Sequence, residues 1–218
     1  MHTRCLIAIV CGLAGLLLGC RGVNPVLDTM LSYQESERPL RLSPTYEYMR
    51  VEVGKRATVV VLGERVRVPT SDGVDVHEYW YSSQREMLQL VNGRLYRAMG
   101  FTTEWRSNHG APPRWQSIET IRYEMPWSRE LDVMPGYRYG QVDHLWIKPV
   151  PRPPTSPSEV SAQAVWFDEE VLSQTKDGKP WSYQQRFAVQ GGQILYSEQC
   201  LAPDICMKLR PLTQEHRP

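Results

Sequence analysis

The chain carries almost no net charge: 25 basic and 24 acidic side chains leave +1 over 218 residues. A nucleic-acid binder shows a basic excess or stripe, so a general grip on phosphate is not what this composition provides. Phenylalanine is sparse, at three residues. Catalytic signatures are also missing. There is no Gly-x-Ser-x-Gly elbow, no His-Glu-x-x-His, no phosphate-binding loop and no dinucleotide-binding glycine pattern. Nothing calls for a metal or a cofactor. What remains is 41% hydrophobic. At near-zero net charge that is the opposite of a disordered composition, and the length suits one ordinary domain or two small ones.

The first residues specify a destination. Arg4 supplies a short positive start, and Cys5 to Leu18 carries no charge. That run has signal-peptide length and is too short to span a bilayer comfortably. It ends in Leu17-Leu18-Gly19-Cys20, which resembles the lipobox of bacterial lipoproteins. The expectation is a leader over 1–19, lipid on Cys20, a tether over 20–24 and a periplasmic domain over 25–218. An ordinary secretory signal with an incidental cysteine is the alternative. Several acyl chains on one residue hold a protein to a membrane far better than one, at about 0.8 kcal/mol per buried CH₂. Arg21, where an Asp would favour inner-membrane retention, points to the outer membrane.

Cysteine usage agrees with export. Cys5 and Cys11 leave with the leader and Cys20 is consumed by lipid, so Cys200 and Cys206 remain. In an oxidising compartment they read as a small disulfide loop around Pro203-Asp204. Free thiols and a zinc pair are the alternatives, but zinc requires three or four ligands.

Asn24-Pro25 is a helix-start pattern, and Val26, Leu27, Met30 and Leu31 follow helical spacing, predicting one short N-terminal helix at 25–34. From residue 45 the texture is β. Met49, Val51 and Val53 alternate with Arg50 and Glu52, and Ala57–Leu62 is a short apolar run. Strands follow at Val76–Ser82, Met87–Val91 and Arg94–Met99, the last two flanking Asn92-Gly93, a two-residue type I′ hairpin signal. Later hairpins centre on Asp177-Gly178 and Gly191-Gly192. Trp80…Asn92-Gly93 and Trp181…Gly191-Gly192 echo each other faintly. Five prolines within 149–157 predict an extended, polyproline-like excursion, read as a surface insertion with a linker between subdomains as the alternative. The fold class is therefore all-β, an antiparallel two-sheet sandwich or barrel-like domain built from hairpins.

Chemistry-bearing clusters are few. His77, His109, His144 and His216 stand apart. Asp168-Glu169-Glu170 could suggest paired glycosidase carboxylates, but alternation places Asp168 and Glu170 on one face and Glu169 on the other, so a solvated strand end is expected. Aromatics are skewed towards amphipathic types, with 7 Trp and 11 Tyr. Such side chains stack on the apolar faces of sugar rings and bond hydroxyls with their polar tips. A core or rim place is expected for most of them; the candidate contacts for glycan or a protein partner are Trp105 and Trp115, which bracket the Asn108–Pro113 loop and are the best candidates for exposure, with Tyr79 and Tyr81 on one face of their strand.

Tyr46–Gly63 and Glu78–Phe101, with Trp80 ahead of Asn92, Gly93 and Arg94, resemble the YjbF/GfcB family of bacterial lipoproteins. The likeness returns in Trp181–Leu212. The resemblance implies an all-β periplasmic domain working in group 4 capsule or exopolysaccharide production, without catalytic residues to transfer. It leads to an outer-membrane lipoprotein that faces the periplasm. Its expected partners are the membrane, through the lipid, exopolysaccharide-export proteins, and the polysaccharide itself. A glycan-binding module, or an enzyme modifying the polymer, are the alternatives.

Overall fold

The computed structural model describes residues 42–101, 103–110, 112–134, 137–174, 180–202 and 205–212. The expected leader, Cys20, the tether, the helix at 25–34 and the Asp177-Gly178 turn lie outside them, as does His216. Among the described residues the strands are β1 (Tyr48–Val53), β2 (Arg56–Thr70), β3 (Gly73–Tyr81), β4 (Met87–Val91), β5 (Arg94–Met99) and β6 (Glu104–His109). They continue as β7 (Met125–Met134), β8 (Arg138–Val150), β9 (Val165–Gln174), β10 (Trp181–Gln190), β11 (Gln193–Ala202) and β12 (Ile205–Leu212). Each strand pairs antiparallel with the next, and β12 returns to β1. Of the two expected architectures, the sheet takes the closed barrel. Closure gives β1 a neighbour on both sides, which removes the open edge that a sandwich would have to protect.

Side-chain alternation decides what the wall encloses. Met49, Val51, Leu88, Leu90, Leu131, Val133, Met207 and Leu209 point inward into one apolar cluster. Ile147, Phe167, Phe187 and Val189 form a second. Burying a Phe or Leu of this kind contributes roughly 1.5–3 kcal/mol. The outer wall is charged instead, with Arg50 paired to Glu52 and Arg186 to Asp168, both at 2.7 Å. Apolar inside and charged outside is the reverse of a barrel that faces lipid.

The hairpins at Asn92-Gly93 and Gly191-Gly192 form as the sequence predicts. Both central residues have positive φ in each, at 50° and 75° and at 60° and 75°, as a type I′ turn requires. These two turns open on the same end of the barrel, where β1 also begins.

One expectation is overturned. The proline-rich stretch is not an extended excursion. Pro149 and Val150 pair with Phe167 and Trp166 inside the sheet, and the following residues fold back as a compact flap on the outer wall. Arg152 explains this. Its guanidinium donates to the carbonyls of Pro157, Val160 and Ser161, each at 3.1 Å, gathering the turns into one unit. Val160 then covers Trp166, Ala188 and Tyr196, and Glu159 pairs with Arg210 of β12 at 2.7 Å. Among the described residues a single helical turn, α1 (Trp115–Ile118), lies in the β6–β7 connection, away from the 25–34 stretch that lies outside them.

Candidate functional site

A polar centre separates the two apolar clusters inside the barrel. Glu169 of β9 is fully buried, because it shares the inward face of Phe167 and Val171. Arg94, at the start of β5, donates Nη1 to both its carboxylate oxygens at 2.8 and 2.9 Å. Trp127 Nε1 and Gln185 Nε2 donate to the same carboxylate at 2.8 and 3.0 Å. Deeper in the barrel, Arg129 of β7 donates Nε to Asp143 at 3.0 Å and Nη2 to the Tyr183 hydroxyl at 2.8 Å. The Ser173 hydroxyl donates to Asp143 at 2.6 Å. Aromatic rings flank both cations. The Arg94 guanidinium lies 4.3 Å from the Trp115 ring centre and 4.9 Å from that of Phe187, and Arg129 lies 4.9 Å from Trp105.

Burial and charge pull these groups in opposite directions. Burial pushes the Arg94 pKa below its ordinary value, with Glu169 opposing and Arg129 adding to the fall. Burial also works against the charge of Arg129, but Tyr183, Asp143 and Glu169 outweigh it and its pKa is raised. Burial foremost pushes the Tyr183 hydroxyl up. Paired and hydrogen-bonded charges of this kind tolerate burial, whereas either one alone would not.

A cap built from residues 112–124 closes the barrel end above Arg94. Trp115 and Ile118 of α1 insert into the cluster of Phe167 and Phe187. Three hairpins hold the cap. Arg114 donates to the Val74 carbonyl and to Thr70 Oγ1, both at 2.8 Å, at the tip of the β2–β3 hairpin. Trp115 Nε1 donates to the Asn92 carbonyl at 2.9 Å. Glu119 accepts the backbone N–H groups of Gly191 and Gly192 at 2.9 and 2.7 Å. Glycine suits position 192 because φ is positive there, at 75°.

Comparison with known proteins now decides the family. The family model described as "Group 4 capsule polysaccharide lipoprotein gfcB, YjbF" matches residues 34–210. The chain belongs to the YjbF family. A solved structure with a similar fold is the hypothetical lipoprotein YmcC from Escherichia coli (K12), with a TM-score of 0.63 at 19% identity. The match covers 86% of this chain and 96% of that one. No curated protein matches the chain.

The residues singled out in the sequence of this YjbF-family member take varied places. Cys200 and Cys206 form a disulfide across the β11–β12 ladder, where they are register partners. Tyr79 is half-buried and bonds Gln89 Nε2 at 3.2 Å, while Tyr81 is 44% exposed. Trp105 and Trp115 do not lie in an exposed loop; each is 2% exposed. Trp105 sits in the wall and Trp115 in the cap, and each packs a buried arginine, so they are part of the interior. These four aromatics are not brought to one surface.

The carboxylate run also differs from expectation. Asp168 and Glu169 lie mid-strand and buried, not at a solvated strand end. Asp168 faces outward and is held by Arg186 Nε at 2.7 Å and Gln184 Nε2 at 3.0 Å. His77 packs against Tyr96 and Gln89, and His144 against Trp146. The polar centre had been missed, although one signal for it exists. Glu169 between Phe167 and Val171, and Arg129 between Trp127 and Leu131, put a charge on the apolar face of a strand.

Proposed function

We propose that this YjbF-family protein is an outer-membrane lipoprotein, anchored through Cys20, whose barrel faces the periplasm and supports capsule or exopolysaccharide assembly or export without catalysing a reaction. Family membership carries this reading. The interior chemistry supports the non-catalytic part: Glu169 and Asp143 each hold an arginine and further donors. A general acid or base has to reach substrate with a proton to exchange, and these carboxylates are spent on structure. The lipid confines the barrel beside the membrane and raises its effective concentration near export proteins there.

The test is deletion of the gene, followed by measurement of polymer outside the cell and in the periplasm, with wild-type and Cys20→Ala complementation. Polymer held in the periplasm and released only by the lipidated form is the expected result, together with recovery of an export protein alongside the wild type. Normal export in the deletion strain overturns the role. A change in chain length or substituents of polymer incubated with pure protein would make it an enzyme.

A second reading, direct glycan contact, has one favouring observation at the barrel end opposite the cap. Tyr137 and Tyr139 are 73% and 53% exposed. Between them Arg138 lies over Trp181. Tyr137 also holds positive φ, at 52°, a conformation that is costly for a bulky side chain. Tyr137→Ala with Tyr139→Ala weakens retention of the protein in a polymer-containing gel if these rings carry the contact. Unchanged migration removes this reading.

A further inference from the structure

Arg94 is incompletely satisfied. Its side chain is 6% exposed, and only Nη1 reaches Glu169. Nε and Nη2 have no hydrogen-bond partner. Buried N–H groups are almost always bonded, and leaving one unmade costs about 1–3 kcal/mol. The rings of Trp115, Trp127 and Phe187 lie over the guanidinium at 4.3, 5.1 and 4.9 Å. They satisfy the face of the cation and not the edge. The unbonded edge is the fork of two parallel donors that arginine uses to hold two neighbouring oxygens.

Charge decides which oxygens suit it. Arg94 and Arg129 already stand opposite Glu169 and Asp143, two cations against two anions. A further carboxylate or phosphate would bury a charge with no counterpart. Two adjacent neutral acceptors would not. We propose that the Nε–Nη2 edge of Arg94 binds a neutral saccharide unit, two neighbouring hydroxyl oxygens of which accept from it beneath the cap. Choosing a saccharide among neutral diols rests on the capsule role proposed above; the donor fork does not. The route in lies under residues 114–119. The inserted Trp115 and Ile118 and side-chain bonds to three hairpins hold this segment, so opening it gives up those contacts but breaks no strand ladder.

The test uses the full-length lipoprotein in a detergent without a sugar head group. The indole N–H resonances of Trp115 and Trp127 are followed during titration. The probes are D-glucose, D-galactose and the neutral fraction of hydrolysed polymer, then glucuronate and inorganic phosphate. A saturable shift with a neutral sugar is expected. Arg94→Lys keeps a cation opposite Glu169 but lacks the fork, and should weaken binding about tenfold or more. Should that variant fail to fold, Glu119→Gln loosens the cap without touching Arg94 and should speed ligand exchange. A shift only with glucuronate or phosphate overturns the neutral assignment. No shift with any probe means that water alone meets the edge, and overturns the site. Binding without an export phenotype would sink the capsule role and leave the donor site standing; a phenotype without binding would do the reverse.

Discussion

Glu169 shows at the scale of one residue how this barrel tolerates charge inside. Its two oxygens take donors from Arg94, Trp127 and Gln185, which come from three different strands. One carboxylate thus ties β5, β7 and β10 to β9 across the interior. Glu169→Leu leaves Arg94 buried without its counter-charge, and about 3–5 kcal/mol of stability should go, measured by denaturant unfolding. Arg94→Met combined with Glu169→Leu removes both charges and should cost much less than the two single changes summed. An additive result would show that the pair is not coupled.

Two elements outside the ladder shape the barrel, one over its end and one on its side. The cap depends on Glu119 receiving two adjacent backbone N–H groups, a small concavity that favours an anion. Glu119→Ala should cost about 1–2 kcal/mol in thermal or denaturant unfolding, and should increase amide exchange at Gly191 and Gly192. The flap depends on Arg152. Arg152→Ala frees three carbonyls and should expose the segment between Val150 and Val165 to limited proteolysis while the barrel persists. A flap as resistant as the wild type would mean that packing of Val160 alone holds it.

For the whole molecule, high pH is the informative variable. An unfolded tyrosine ionises near pH 10. In the fold, burial foremost raises Tyr183, with Asp143 adding and Arg129 opposing; burial and then Glu198 raise Tyr196. Groups whose folded pKa is raised contribute stability that is complete below the unfolded value and is lost as pH rises above it. Alkaline unfolding should therefore begin above about pH 10, with part of the tyrosinate absorbance appearing only as the circular dichroism collapses. Smooth ionisation of all 11 tyrosines with the fold intact would contradict this. Closure makes the effect global, since Tyr183 bonds to Arg129 and Asp143 across the barrel interior.

Features under local geometric control were legible in the chain. Alternation at Met49–Val53 marked an inward and an outward face. Asn92-Gly93 marked a type I′ turn, because few residues accept positive φ at both central positions, and Gly191-Gly192 marked a second hairpin. Cys200 and Cys206 were close enough in the chain to pair across one turn. The closure of β12 onto β1 was not legible there, because it joins residues at opposite ends of the described chain. Tertiary packing also decided between the core or rim place and the exposed loop that the chain left open for Trp105 and Trp115, and buried both. Their fate depends on arginines that come from other strands. The polar centre was half legible: Glu169 stood on an apolar face, but its counter-charge lies 75 residues earlier. Pairing over that distance is set by how the sheet closes and by the desolvation cost that forces a buried charge to find its opposite.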